Sequence, residues 1–243
     1  MSYQTIIQNL IRLRSESRFN EASLLAIENL KEHPKYYQIV FENNPIFWSD
    51  IKAGVCVLSR RNLKDIKFLR ELWMNQEFMF KFHRQMPKLP TSDIDLSQIL
   101  NSEYLSVLSE SKALHWIIRD KKLTPWGLIT LTDISLINKR AEILVGLLPN
   151  SPLGLSTAAM LAVFQLYFRV MKFNKLISYV YDDNQYSLKS ALHLGFKIEG
   201  KLMQHVMDQN SGEFFNLTML SLFKNDAFNA CNSLLMKRLL VSR

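Results

Sequence analysis

Gly154, Ser156 and Thr157 stand where an anion could be held. They fall at the junction between an apolar, strand-like run and a helical pattern. The first N–H groups of a helix have no partner within it, and the helix dipole favours negative charge there. Gly154 lets a ligand approach the backbone closely, and the two hydroxyls add donors. An ordinary loop with a Ser/Thr cap uses the same residues, so this turn alone leaves both readings open.

The elements that position this turn run from Lys139 to Gly200. Arg140 to Leu148 reads as a strand with a charged start and then a continuous apolar run. Two prolines and a glycine over 149–156 break either regular pattern and enforce a turn. Thr157 to Lys172 carries Met160, Leu161, Phe164, Leu166, Phe168 and Met171 at helical spacing. Lys175 to Tyr181 reads as a second buried strand. Asp182-Asp-Asn-Gln-Tyr-Ser187 then caps a short helix ending at Leu194-Gly195.

This order resembles the GNAT superfamily of acetyl-CoA-dependent N-acetyltransferases. The family's pyrophosphate loop reads R/Q-x-x-G-x-G/A, usually followed by T-E-A. Here it is Ser151-Pro-Leu-Gly154-Leu-Ser156-Thr157-Ala-Ala159, with Ser151 in place of the leading Arg/Gln. A second block, N-x-x-S/A and then L-G-F, matches Asn184, Ser187 and Leu194-Gly195-Phe196. With Glu199-Gly200 following, it is similar to the Rim-type branch of ribosomal-protein alanine N-acetyltransferases and their small-molecule relatives. The resemblance spans Val55 to Phe228. It implies an α/β (α+β) fold: a mixed central sheet, a splayed fourth and fifth strand pair, and flanking helices.

Composition bounds the class. A 243-residue chain with 48% hydrophobic residues can bury a sizeable core in one or two domains. A net charge of +8 suits a polyanion such as CoA. No dense Lys/Arg run interleaved with aromatics is present, so nucleic acid is not an expected partner. Cys56 and Cys231 lie too far apart in sequence to suggest a disulfide framework or a metal site. The start lacks a signal-like h-region and no long uncharged apolar run exists, so a soluble, cytoplasmic protein without stable membrane insertion is expected.

Outside the central unit, residues 3–34 read as two helices, carrying stripes Ile6, Ile7, Leu10, Ile11, Leu13 and Phe19, Ala22, Leu25, Ala26, Leu30. The second resembles half of a tetratricopeptide repeat, which cannot bury its own face alone. An aromatic cover follows to Asp50, so residues 1–50 form a helical extension. The GNAT domain is expected over 51–226 and a basic helix over 227–243. Its first strand is placed at Gly54–Ser59, and a helix follows over Asn62–Met74. A turn is expected over 86–90 and another helix over 95–109. Strands at Leu114–Arg119 and Pro125–Thr132 flank a hairpin loop.

Acetyl transfer to an amine needs a base for the amine proton, a donor for the developing oxyanion and a proton for the leaving thiolate. By resemblance, backbone groups of Val145, Gly146, Leu147 and Leu148 line the thioester, with a bulge suited to Gly146. Leu153, Gly154, Leu155, Ser156 and Thr157 hold the CoA pyrophosphate, with Asn184 and Ser187 nearby. Glu142 is the one carboxylate on its strand and the expected base, through a water; a solvent-facing strand-end glutamate beside Arg140 is an equal alternative. His115 is a second candidate. The family's acid tyrosine falls at Ala191, seven residues after Asn184, and leaves Ser187 as the nearest hydroxyl by motif.

The pattern Trp73-Met-Asn75-Gln-Glu77 is similar to the branch's W-x-N-x-E. It implies that Trp73, Phe78, Phe80, Phe82, His83 and Arg84 stand near the acceptor, although a core aromatic cluster explains the phenylalanines equally well. The expected function is direct, ternary-complex acetylation of a primary amine, small-molecule rather than protein. The alternatives are a protein N-terminal acetyltransferase or a non-catalytic acyl-CoA-binding module. The basic chain slightly disfavours polyamines. A monomer or homodimer without metal completes the expectation.

Overall fold

The computed structural model describes residues 2–34, 36, 39–40, 43–82, 90–105, 113–208 and 211–232. The expectations for His83, Arg84, the Phe80 side chain, most of the 86–90 turn, and helix beyond 105 and 232 lie outside them.

Eight strands form one sheet in the order β1-β2-β3-β4-β5-β6-β8-β7. They are β1 (Ile51–Ala53), β2 (Cys56–Arg60), β3 (Leu114–Arg119), β4 (Pro125–Ser135), β5 (Arg140–Leu147), β6 (Lys175–Tyr181), β7 (Lys197–Met207) and β8 (Phe214–Phe223). Short β1 was not expected, so the anticipated fourth and fifth strands are β5 and β6. Every neighbouring pair is antiparallel except β5–β6. That parallel pair joins only Arg140–Glu142 to Lys175–Ile177. Past Glu142 the strands part, and the sheet opens.

Side chains alternate across the sheet, as a strand's pleat requires. Ala141, Ile143, Val145 and Leu147 of β5 pack with α6 (Leu155–Gln165). Leu144 and Leu148 pack instead with α3 (Ile66–Met74), α4 (Gln76–Phe82) and α5 (Asp93–Leu105). Helix α6 is apolar on nearly all sides, which suits an element sunk in the core. It continues as a π-turn over Leu166–Val170, from which the Tyr167 hydroxyl donates to the Lys175 carbonyl at 2.6 Å. The Asn174 N–H donates to the Lys139 carbonyl at 2.7 Å. These two bonds pin the closed base of the opening.

The N-terminal helices α1 (Tyr3–Ser15) and α2 (Phe19–Asn29) share a small core of Ile6, Leu10, Leu13, Ala22, Ala26, Leu30 and Ile39. Helix α1 also meets α5. The hairpin is tied to the sheet through Trp48. The Arg14 guanidinium lies 5.2 Å from that indole, and Arg60 of β2 bridges it at 5.2 Å to Trp116 of β3 at 5.8 Å. Phe19 stacks on Trp48 at 6.0 Å. Desolvated cation–π contacts of this kind are worth about 2 kcal/mol each.

The bulge expected at Gly146 is not in the sheet. Pairing with β4 runs in register from Glu142 to Leu147 and shifts instead between Thr132 and Ser135, where Asp133 takes φ 45°. Gly146 has another reason to be glycine. A Cβ there would lie 2.7 Å from the rings of Phe78 and Phe82, which close directly over the strand.

Candidate functional site

The opening lies between β5 and β6, the parallel pair in the sheet. Both strands end at the same end of the sheet, and each feeds a helix whose N-terminus starts there: α6 after β5, and α7 (Gln185–His193) after β6. A crevice at the carboxyl ends of parallel strands is a general ligand site in α/β sheets.

Backbone groups line the β5 side. The Leu148 N–H donates to the Trp126 carbonyl at 2.8 Å, towards β4. Because main-chain directions alternate, Val145 and Leu147 turn their N–H and C=O groups away from β4 and into the opening. Of the four residues expected to offer free groups, Gly146 and Leu148 therefore do not. A Cβ on Gly127 would collide with the Gly146 carbonyl, consistent with that group facing β4.

The turn at the end of β5 leads into α6 on Gly154, at φ 81°, with no side-chain cap. A β-carbon is disfavoured at that backbone angle, so glycine sets the helix start. Leu155 is buried, Ser156 and Thr157 are half-buried, and Leu153 is fully exposed. The Leu155 N–H donates to the Pro152 carbonyl at 3.2 Å, while the Ser156 and Thr157 N–H groups stay available as donors. Helix α7 differs: the Asn184 carboxamide accepts the Ser187 N–H at 3.1 Å and caps it. At its far end Gly195 takes φ 94°, and Phe196 turns inward against Phe164 at 6.0 Å. The Leu-Gly-Phe run is thus a helix stop with an apolar anchor.

Glu142 lies on the sheet face that carries α3, α4 and α5. It accepts from the Thr132 hydroxyl at 3.2 Å. Burial raises its pKa, the Thr132 bond opposes that rise, and the Asp133 charge adds to it. A carboxylate made more basic in this way is suited to taking a proton near neutral pH. His115 shares that face but is buried and bonded to the Thr130 hydroxyl at 3.0 Å. Burial, then Arg61 and Arg60, push its pKa well down, so it stays neutral. Cys56 is buried and its thiol is pushed up to about 12, unsuited to nucleophilic attack.

Phe78 and Phe82 are closed into the core at 3% and 5% exposure, stacked at 5.1 Å, with Trp73 half-buried beside them. Asn75 separates α3 from α4 by accepting the Phe78 N–H at 2.9 Å. The structure thus brings Glu142, Val145, Leu147 and the 153–157 turn to one opening, with Asn184 and Ser187 at its other arm. Tyr179 on β6, which sequence reasoning passed over, shares the Glu142 face. Only the β5–β6 register could have revealed it.

The acetyltransferase (GNAT) domain model matches residues 57–197. The chain belongs to the GNAT acetyltransferase family. It is an N-acetyltransferase, and acetyl-CoA is its acyl donor. A solved spermidine N-acetyltransferase from Vibrio cholerae, in complex with CoA and spermine, superposes at a TM-score of 0.62 with 18% identity, over 72% of this chain and 98% of that one. A dodecameric spermidine N-acetyltransferase from the same organism, in an intermediate state, gives 0.59 and 17%, over 72% and 96%. At these identities the likeness concerns the fold. No curated protein sequence matches the chain.

The donor's requirements fit this GNAT chain. A pyrophosphate needs clustered N–H donors and close backbone approach, which the uncapped α6 start and Gly154 supply. An amide-rich arm needs unpaired strand edge, which β5 offers beyond Glu142. Among the described residues no cluster of His, Cys, Asp and Glu suits a metal ion, and no helix is long and apolar enough to cross a membrane.

Proposed function

We propose that the protein transfers an acetyl group directly from acetyl-CoA to the primary amine of a small molecule, with Glu142 as general base. The observation that carries this reading is Glu142 itself. It is a half-buried carboxylate of raised pKa, on the last β5 residue in register with β6, at the edge of the opening. Bound acetyl-CoA supplies the electrophilic thioester carbon. Val145 and Leu147 offer backbone N–H groups for the carbonyl oxygen, and the Leu153–Thr157 turn holds the pyrophosphate. Glu142 takes the amine proton, directly or through one water. Asn184 orders the α7 start beside the donor.

A small acceptor is supported by the closed aromatic floor of Phe78 and Phe82 and by the spermine-bound neighbour. The net charge of +8 argued against polyamines, but the carboxylates of Glu142, Asp133 and Glu199 near Tyr179 make the local field matter more. The finer likeness to the Rim-type branch is supported by Leu194-Gly195-Phe196 and Glu199-Gly200. We further propose residues 51–226 as the catalytic unit, with 1–50 and 227–243 appended, acting in the cytoplasm as a monomer or homodimer.

Thiol release from acetyl-CoA over a panel of small amines, polyamines and peptide N-termini tests this reading. Glu142→Gln should lower kcat by about a hundred- to ten-thousandfold, as removal of a general base does. A loss below about threefold would take the role from Glu142.

A further inference from the structure

We propose that Tyr179 is the general acid of this site, giving its phenolic proton to the thiolate as the acetyl group leaves it. This rests on the reading that Glu142 is the base and that the β5–β6 opening holds the thioester. Ala191, where the family's tyrosine was expected, has only a buried methyl group to offer. Tyr179 is placed to fill that gap. Ile177 is paired with Glu142 in the last rung of the β5–β6 ladder. Tyr179, two residues on, is the first β6 side chain on the Glu142 face beyond the point where the strands part. It is half-buried, and among the described residues its hydroxyl has no hydrogen-bond partner. Tyr181, next on that face, packs edge-on against Phe215 at 6.5 Å.

The charged groups facing Tyr179 are Glu142 and Arg140 on β5, Asp133 on β4 and Glu199 on β7. Burial raises its pKa first, then the Glu142 charge; Arg140 opposes, and Asp133 and Glu199 add to the rise. The phenol is therefore protonated in the resting enzyme. When Glu142 takes the amine's proton its negative charge vanishes, and with it a restraint on the phenol. Tyr179 becomes a better acid at the moment a thiolate needs one.

The balance closes. The C–N bond forms and the C–S bond breaks. The amine proton goes to Glu142 and the phenolic proton to sulfur. Glu142 then returns its proton to the phenolate through solvent, leaving amide and free thiol.

Tyr179→Phe tests the role with two donors, acetyl-CoA and the acetyl thioester of an acidic aryl thiol whose departure needs no proton. With acetyl-CoA, kcat should fall about a hundredfold while the acceptor KM stays within about twofold. With the aryl thioester the deficit should disappear. Ring-13C tyrosine NMR gives a readout free of turnover. The resonance lost in Tyr179→Phe should titrate at lower pH in Glu142→Gln than in the wild type. A kcat loss below about threefold, an equal loss with both donors, or an unmoved titration would overturn the assignment. A wild-type protein that releases no thiol with any amine would instead sink the proposed function, and the NMR titration would still decide whether Tyr179 and Glu142 are coupled.

Discussion

The two arms of the opening differ in how their helices begin. On the β5 arm the edge facing β6 is unpaired beyond Glu142, and α6 starts on a glycine without a side-chain cap. The β6 arm is likewise unpaired towards β5 beyond Ile177, its other edge being held by β8, but its helix start is capped by Asn184. The α6 start has N–H groups to give away; the α7 start has already committed one to the Asn184 side chain. In the proposed mechanism the phosphorylated donor binds at the first arm, and protons are handled across the opening by Glu142 on the first and Tyr179 on the second.

That contrast can be broken at Gly154. A β-branched residue there must hold a left-handed backbone costing about 1–2 kcal/mol, and it fills the space the donor needs. Gly154→Val should weaken CoA binding by about tenfold or more, read by calorimetry on folded protein. Unchanged affinity would mean that the bare α6 start does not hold the pyrophosphate.

Asn184→Ala sharpens the comparison from the other arm. Loss of a helix cap costs about 1 kcal/mol of stability, while CoA affinity should change less than about twofold. Thermal melts and calorimetry read the two quantities separately. A CoA loss as large as that of Gly154→Val would show the arms to be equivalent.

The smallest effect expected is a pH-dependent gain. Burial raises the Glu142 pKa in the folded state, so the native protein favours the protonated carboxyl. That stability is fully present below the unfolded value, about 4.3, and is lost as pH rises through the folded pKa. Glu142→Gln should therefore melt slightly above the wild type at pH 8, with the gap closing near pH 4. A gap of equal size at both pH values would remove the ionisation from the account.

Much of this was legible because local chemistry wrote it. Pro149, Pro152 and Gly154 mark the turn, apolar spacing marks α6, and Leu194-Gly195-Phe196 marks the end of α7. What sequence missed depends on partners far along the chain. Gly146 was read as a bulge residue, but its constraint comes from Phe78 and Phe82, brought over the strand by α4. Tyr179 gains meaning only once Glu142 is seen to pair with Ile177. The helix over Gln76–Phe82 was hidden in a motif read for its substrate role, although the preceding helix was ended correctly at Met74, and three-residue β1 is too short to carry an alternation.

The ends of the sheet carry a last consequence. β1 offers three residues of edge, and β7, though eleven residues long, is interrupted twice: its pairing with β8 shifts at Ile198/Gly200 and at Leu202/Val206, where Gln204 takes φ 49°. Its longest unbroken run is Gly200–Leu202. Another copy's strand laid along either end would find no more than about three residues in register before the ladder failed, and edges blunted in this way resist runaway sheet extension. An enzyme that leaves two inner strands partly unpaired towards each other thus keeps its outer margins poor templates for aggregation.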